Sequence, residues 1–177
     1  MQAPIEAPLA ELRERIVAAH RDRTPLRLRG AGTKDFYGER LEGAVLDTRA
    51  HAGVRSYEPT ELVISARCGT PLSEIERTLA EHGQFLPFEP PAFGGDPTIG
   101  GVVAAGLSGP RRPAAGAVRD FVLGASLLGG DGELLRFGGA VMKNVAGFDV
   151  SRLLCGSLGV LGLIAEVTLK VLPRPRL

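Results

Sequence analysis

The chain has 177 residues and a formal net charge of +1, with 44% hydrophobic and 23% charged residues. These values describe a folded globular chain able to build one sizeable core, or two small α/β subdomains sharing one, and they exclude a large multidomain enzyme or a disordered polymer. A near-neutral balance also excludes capture of nucleic acid by a broad basic face, so any anion must be held locally.

Leu9, Leu12, Ile16 and Ala19 recur at helical spacing among charged residues and predict an amphipathic helix ending near Arg23. Pro25 then opens a short strand in which Leu26 and Leu28 alternate with Arg27 and Arg29, running into Gly30-Ala31-Gly32-Thr33-Lys34. Ala44–Asp47 and Leu62–Arg67 read as further strands. Thr70-Pro71 is a helix start, with the hydroxyl expected to cap free amides. Leu72, Ile75 and Leu79 line that helix until Gly83. A Pro- and Gly-rich passage from Phe88 to Pro113 precedes a hairpin, in which Phe121–Leu128 and Glu133–Phe137 flank Gly129-Gly130-Asp131-Gly132. Alternation from Leu163 to Leu172 predicts a long strand with one buried face, stopped by Pro173 and Pro175.

The longest apolar runs, such as Gly101–Leu107 and Val160–Ala165, fall well short of the roughly 20 residues that cross a bilayer. The start at Met1, with early acidic residues and no basic-then-apolar leader, makes the cytoplasm the expected location. Cys68 and Cys155 stand far apart with no further metal ligands at short spacing, so both read as buried thiols and no metal site is expected.

The chain carries 24 glycines, about twice the usual share of roughly 7%. They cluster at Gly30–Gly32, Gly94–Gly109, Gly129–Gly139 and Gly156–Gly162, between periodic segments rather than along a linker. A dinucleotide's diphosphate is commonly held by converging backbone amides, and side chains at Cβ would block that approach. Taken alone, Arg29–Lys34 is equally well a plain tight turn. The stretch Asp96–Pro110 is more telling, because a short helix opening near Thr98 would present free amides while Gly100, Gly101, Ala104, Ala105 and Gly106 leave room for a flat ligand. Close helix packing inside a core is the competing reading. The dinucleotide fingerprint G-x-G-x-x-G is broken here, since Asp35 stands at the third glycine position and Phe36-Tyr37-Gly38 follow in place of a helix.

Gly30-Ala31-Gly32-Thr33-Lys34, Tyr57-Glu58-Pro59, Pro97-Thr98-Ile99-Gly100-Gly101, Val118–Gly124, and Gly156-Ser157-Leu158-Gly159 through Glu166-Val167-Thr168 occur in an order that resembles the FAD-binding domains of the vanillyl-alcohol oxidase (PCMH) type. The finer pattern, including Lys143–Asp149, is most similar to the glycolate oxidase E-subunit family. The resemblance implies an α+β domain made of two α/β subdomains, about 1–90 and 91–177, the second with a largely antiparallel sheet. It implies that the cofactor contacts are Arg29, Gly30, Ala31, Gly32, Thr33, Lys34, Pro97, Thr98, Ile99, Gly100, Gly101, Ala104, Ala105, Gly106, Gly109, Gly116, Gly162 and Ile164.

Some relatives tether the flavin through a histidine in these loops. Here His20, His51 and His82 lie elsewhere, so noncovalent FAD is implied. The implied activity is oxidation of a 2-hydroxy acid, glycolate or D-lactate, by hydride transfer to flavin. The implied partners are a second FAD-containing subunit and an iron–sulfur subunit, through which any membrane contact would be made. Relatives generally continue into a substrate or cap domain, which is not expected within these residues, so no complete active site is expected and no catalytic residue is identified. Arg111, Arg112, Lys143 and Asn144 stand in or near the glycine loops and face either phosphate, substrate or solvent. The alternative is a noncatalytic subunit that docks a catalytic flavoprotein.

Overall fold

The computed structural model describes residues 6–139 and 148–175. The first helix, α1 (Ala7–Asp22), buries Leu9, Leu12, Ile16 and Ala19 and ends with Arg23 in the left-handed conformation. Strands β1 (Leu26–Arg29) and β2 (Ala44–Asp47) pair in parallel as a separate two-stranded sheet. Next come β3 (Val54–Glu58), β4 (Val63–Arg67), α2 (Leu72–Ala80), β5 (Gln84–Phe85) and α3 (Ile99–Ala105). The one-turn helix α4 (Arg112–Ala115) leads to the hairpin of β6 (Val122–Leu128) and β7 (Leu134–Gly138). Helix α5 (Val150–Leu153), β8 (Leu163–Lys170) and β9 (Leu172–Pro173) complete the described elements.

The main sheet has the order β3-β4-β8-β6-β7, with every neighbouring pair antiparallel. The antiparallel sheet expected of the second half is therefore present, but two of its five strands come from before residue 90. The polypeptide crosses the expected subdomain boundary and returns, so the two halves share one sheet. The larger core lies against this sheet and holds Ile75 and Leu79 of α2, Ile99, Val102 and Val103 of α3, and Val167 and Leu169 of β8. The smaller core joins α1 to Leu46, Cys68, Leu128, Leu163 and Ala165.

Two local expectations are corrected. Strand β8 is buried on both faces near its start, because Ile164 joins the larger core while Leu163 and Ala165 join the smaller one. The register against β6 steps from Leu127↔Ile164 to Ser126↔Glu166, so Ala165 is an extra residue that shifts the alternation. The Thr70 hydroxyl does not cap α2. It donates to the Arg67 carbonyl at 2.6 Å and accepts the Gly53 amide at 2.9 Å, which stitches the end of β4 to the loop before β3. The cap comes from a distance: Asp96 accepts the Ser73 amide at 3.0 Å and the Ser73 hydroxyl at 2.5 Å.

Candidate functional site

The three glycine stretches meet. Gly30 to Asp35, Pro97, Thr98, Gly101, Ala104, Ala105, Leu158, Gly159 and Val160 line a groove of about 300 Å³. A smaller cavity of about 60 Å³ shares Arg29, Gly30, Gly101, Ala104 and Gly159 with it and adds Gly100, Gly162 and Ile164. Strand β1 delivers the first loop, α3 forms a wall, and the turns before β8 form the rim.

The amides of Gly30, Ala31, Gly32, Thr33 and Lys34 have no backbone or side-chain acceptor among the described residues. Successive unpaired N–H groups in a loop with one left-handed residue make a concave anion site. Gly32 supplies that residue at φ 73°, and a Cβ there would collide with the Arg29 guanidinium. Two arginines and a lysine flank this loop. Arg29 donates from Nε to Asp35 Oδ2 at 2.8 Å, and Arg27 reaches the same oxygen from Nη2 at 2.9 Å. Arg27 Nε is buried without a partner among the described residues. Burial works to raise the Asp35 pKa, but the bonds from Arg29 and Arg27 outweigh it and hold the carboxyl below its ordinary range. Burial lowers the Lys34 pKa, and its ammonium lies 5.6 Å from the centre of the Phe93 ring, which packs edge-on against Phe36 at 5.0 Å.

Helix α3 differs from expectation. Its opening amides turn inward: Ile99 N–H donates to the Thr70 carbonyl and Gly100 N–H to the Cys68 carbonyl, each at 2.9 Å. Gly101 N–H donates to Thr98 Oγ1 at 3.3 Å. The antiparallel bridge between Pro71 and Thr98 sews the start of the helix to the turn after β4, so these donors are already used. The unpaired amides belong to the first loop, and α3 contributes small side chains.

Of the expected contacts, Ile99 is fully buried in the core. Gly106, Gly109 and Gly116 are not among the groove-lining residues. A Cβ on Gly106 would come within 2.9 Å of the Gly156 backbone, and one on Gly109 within 2.6 Å of the Glu89 carbonyl. Close chain approach accounts for both. A Cβ on Gly116 would meet the Asp120 carboxylate at 3.1 Å. Arg111 is held by Glu89 at 2.9 Å and lies 5.2 Å over Phe85, while Arg112 is exposed in α4. Neither lines the groove. Lys143 and Asn144 lie outside the described residues. Leu26, Arg27, Leu28, Asp35 and Tyr37 line the groove without having been expected to, and Leu158, Gly159 and Val160, from the segment expected against the nucleotide, line it too. The last three were signalled by the glycine cluster at 156–162, and Leu158 holds a left-handed φ of 52° that its residue type does not announce.

None of the three histidines lines the groove. Burial pushes the Cys68 and Cys155 thiols up to about 12, which disfavours the thiolate. Among the described residues there is no cluster of metal-ligating side chains, and no helix is long and apolar enough to cross a membrane.

The loop amides without acceptors among the described residues and the bared main chain fit a doubly charged diphosphate carried by a flat, extended cofactor. Comparison with known proteins agrees. The FAD binding domain family model matches residues 8–151. Glycolate oxidase subunit GlcE of Escherichia coli is 56% identical over 165 residues, which are 93% of this chain and 47% of that protein. Glycolate oxidase subunit GlcD of Bacillus subtilis is 31% identical over 86% of this chain and 33% of its own length. A D-lactate dehydrogenase of Anaerostipes hadrus is 32% identical over 70% of this chain and 26% of its own length. The chain thus spans less than half the length of these curated relatives. It belongs to the FAD-binding domain family and is a flavoprotein domain of the PCMH type, similar to glycolate oxidase subunits.

Proposed function

We propose that the chain is the FAD-binding part of a glycolate oxidase-like complex that oxidises a 2-hydroxy acid, glycolate or D-lactate. The observation that carries this reading is the meeting of three sequence-distant glycine stretches on one groove, with five consecutive amides in its wall that no described residue pairs. The similarity to GlcE over 93% of the chain supports the substrate class, and the similarity to GlcD supports a second flavin-containing subunit as a partner. An iron–sulfur subunit completes the proposed complex as the onward electron carrier.

When bound, FAD would supply the two-electron acceptor. The protein's own part is to hold and orient it. The amides of Gly30 to Lys34 would take the diphosphate oxygens. Ala104 and Ala105 on α3, which line the same groove as Leu158 and Val160, would leave space for a planar ring. Binding is noncovalent in this reading, since no histidine stands in the groove wall.

Purification of the chain followed by absorption spectroscopy tests the proposal. The expected result is the two-band spectrum of oxidised flavin, released into solution by heat or acid. Co-expression with the GlcD-like and iron–sulfur subunits is expected to give a complex that reduces an electron acceptor with glycolate or D-lactate. A colourless chain that refuses added FAD yet joins such partners would identify a noncatalytic assembly subunit and overturn the proposal.

A further inference from the structure

The segment Asp35-Phe36-Tyr37 follows the unpaired amides directly, and the diphosphate reading gives it no task. Asp35 is the unexpected residue there, because a carboxylate in an anion-binding wall repels its ligand. It lines the groove itself. Yet one oxygen, Oδ2, accepts Arg29 Nε at 2.8 Å and Arg27 Nη2 at 2.9 Å, while its own amide donates to the Gly32 carbonyl at 3.2 Å. Arg29 begins the loop and Asp35 ends it, so this contact closes the loop on itself. The Arg29 guanidinium then fills the space beside Gly32 where a Cβ would stand. The root is fixed as well, since the Arg29 carbonyl accepts the Thr48 amide at 3.0 Å.

We propose that Asp35 is a positioning residue for diphosphate binding: it pins Arg29 beneath Gly32 and ties Arg27 to the end of the loop, so that the loop amides are already arranged when the ligand arrives. The inference rests on the FAD reading of this groove. Preorganised donors bind more tightly because less ordering remains to be done on association. A negative charge is tolerated because it is neutralised by two guanidinium groups. It opposes the ligand less than a loose loop would.

The test uses the full chain freed of flavin, with FAD binding followed by quenching of flavin fluorescence and with ADP and riboflavin as separate competitors. Asp35→Asn and Asp35→Ala are both expected to weaken FAD and ADP by about tenfold or more, the loss of a hydrogen bond between charged groups. Riboflavin, which lacks the diphosphate, is expected to bind as before. Asp35→Glu is expected to recover part of the affinity, and an Arg29→Gln, Asp35→Asn double variant to lose less than the sum of the single losses. Tighter FAD binding by Asp35→Asn would show that the carboxylate only repels, and would overturn the proposal. So would equal losses for ADP and riboflavin, which mark general collapse of the groove, or unchanged affinities in all variants. A wild-type chain that takes up neither FAD nor ADP removes the cofactor reading itself, and is told apart from these outcomes because it precedes any variant.

Discussion

Gly32 shows how one residue can serve backbone and side-chain chemistry together. At φ 73° an alanine is strained, and its methyl would displace the Arg29 guanidinium that Asp35 holds in place. Left-handed backbone costs an L-residue about 1–2 kcal/mol. Gly32→Ala is therefore expected to lower Tm by a few degrees, roughly 2–4 °C per kcal/mol in a chain of this size. It is also expected to weaken FAD more than that loss of stability explains, because the loop donors lose their arrangement. Thermal melts with and without excess FAD, beside a fluorescence titration, check both. Gly106 illustrates a different use of the same residue type. It ends α3 at φ 67° and lets the chain approach Gly156, which brings the third glycine stretch against the second.

At the scale of elements, α3 is a short helix held at both ends rather than an exposed dipole. Its first two amides are bonded to Thr70 and Cys68, and Thr98 closes the turn by accepting the Gly101 amide. Loss of an N-cap typically costs about 1 kcal/mol. Thr98→Val keeps the buried shape and removes that acceptor, so chemical denaturation is expected to show a loss of about 1 kcal/mol with an unchanged m-value. The same variant leaves the Gly101 amide facing the groove without a partner. The structural helix α2 is capped in another way, by Asp96 from the loop before α3, so the two helices and the groove wall are ordered together.

Across the whole molecule, the apolar joint between α1 and the main sheet is flanked by an ionic one. Glu6, at the start of α1, accepts Arg67 Nε at 2.7 Å and Arg55 Nη1 at 2.6 Å, and His51 is buried beside them with Nδ1 unpartnered. The Arg67 hydrogen bond is the main reason that the Glu6 carboxyl is held below the ordinary 4.5. Burial, followed by the charges of Arg67 and Arg55 against the opposing charge of Glu6, holds the His51 imidazole below 6.5. Both folded-state values are depressed, so the unfolded chain takes up these protons first as pH falls. The His51 contribution is complete above about 6.5 and declines below it. The Glu6 contribution is complete above about 4.5 and declines below that. Stability measured by denaturation from neutral pH downward is expected to fall in two stages. His51→Gln should flatten the upper stage and Glu6→Gln the lower, the latter modestly because Glu6 is partly exposed and its pair is screened by solvent.

Local pattern determined much of this protein. The periodicity of Leu9, Leu12, Ile16 and Ala19 specifies α1, and Gly129–Gly132 specifies the β6–β7 hairpin, because side-chain spacing and turn chemistry act within a few residues. The glycine stretches likewise announced a bared main chain, and their order along the sequence carried the family resemblance. Strand β3 went unread because its exposed-edge pattern, with Arg55, Ser56 and Glu58 outward, lacks the apolar alternation of a half-buried strand. Tertiary structure alone decided which amides stay unpaired. Thr70 and Cys68, brought beside α3 by the turn after β4, consume its donors, while no described residue accepts from the amides of residues 30 to 34. It also decided that β8 lies between β4 and β6, joining the two halves in one sheet. Hydrogen-bond acceptors and strand neighbours distant in sequence have no local signature, so only the packed chain can assign them.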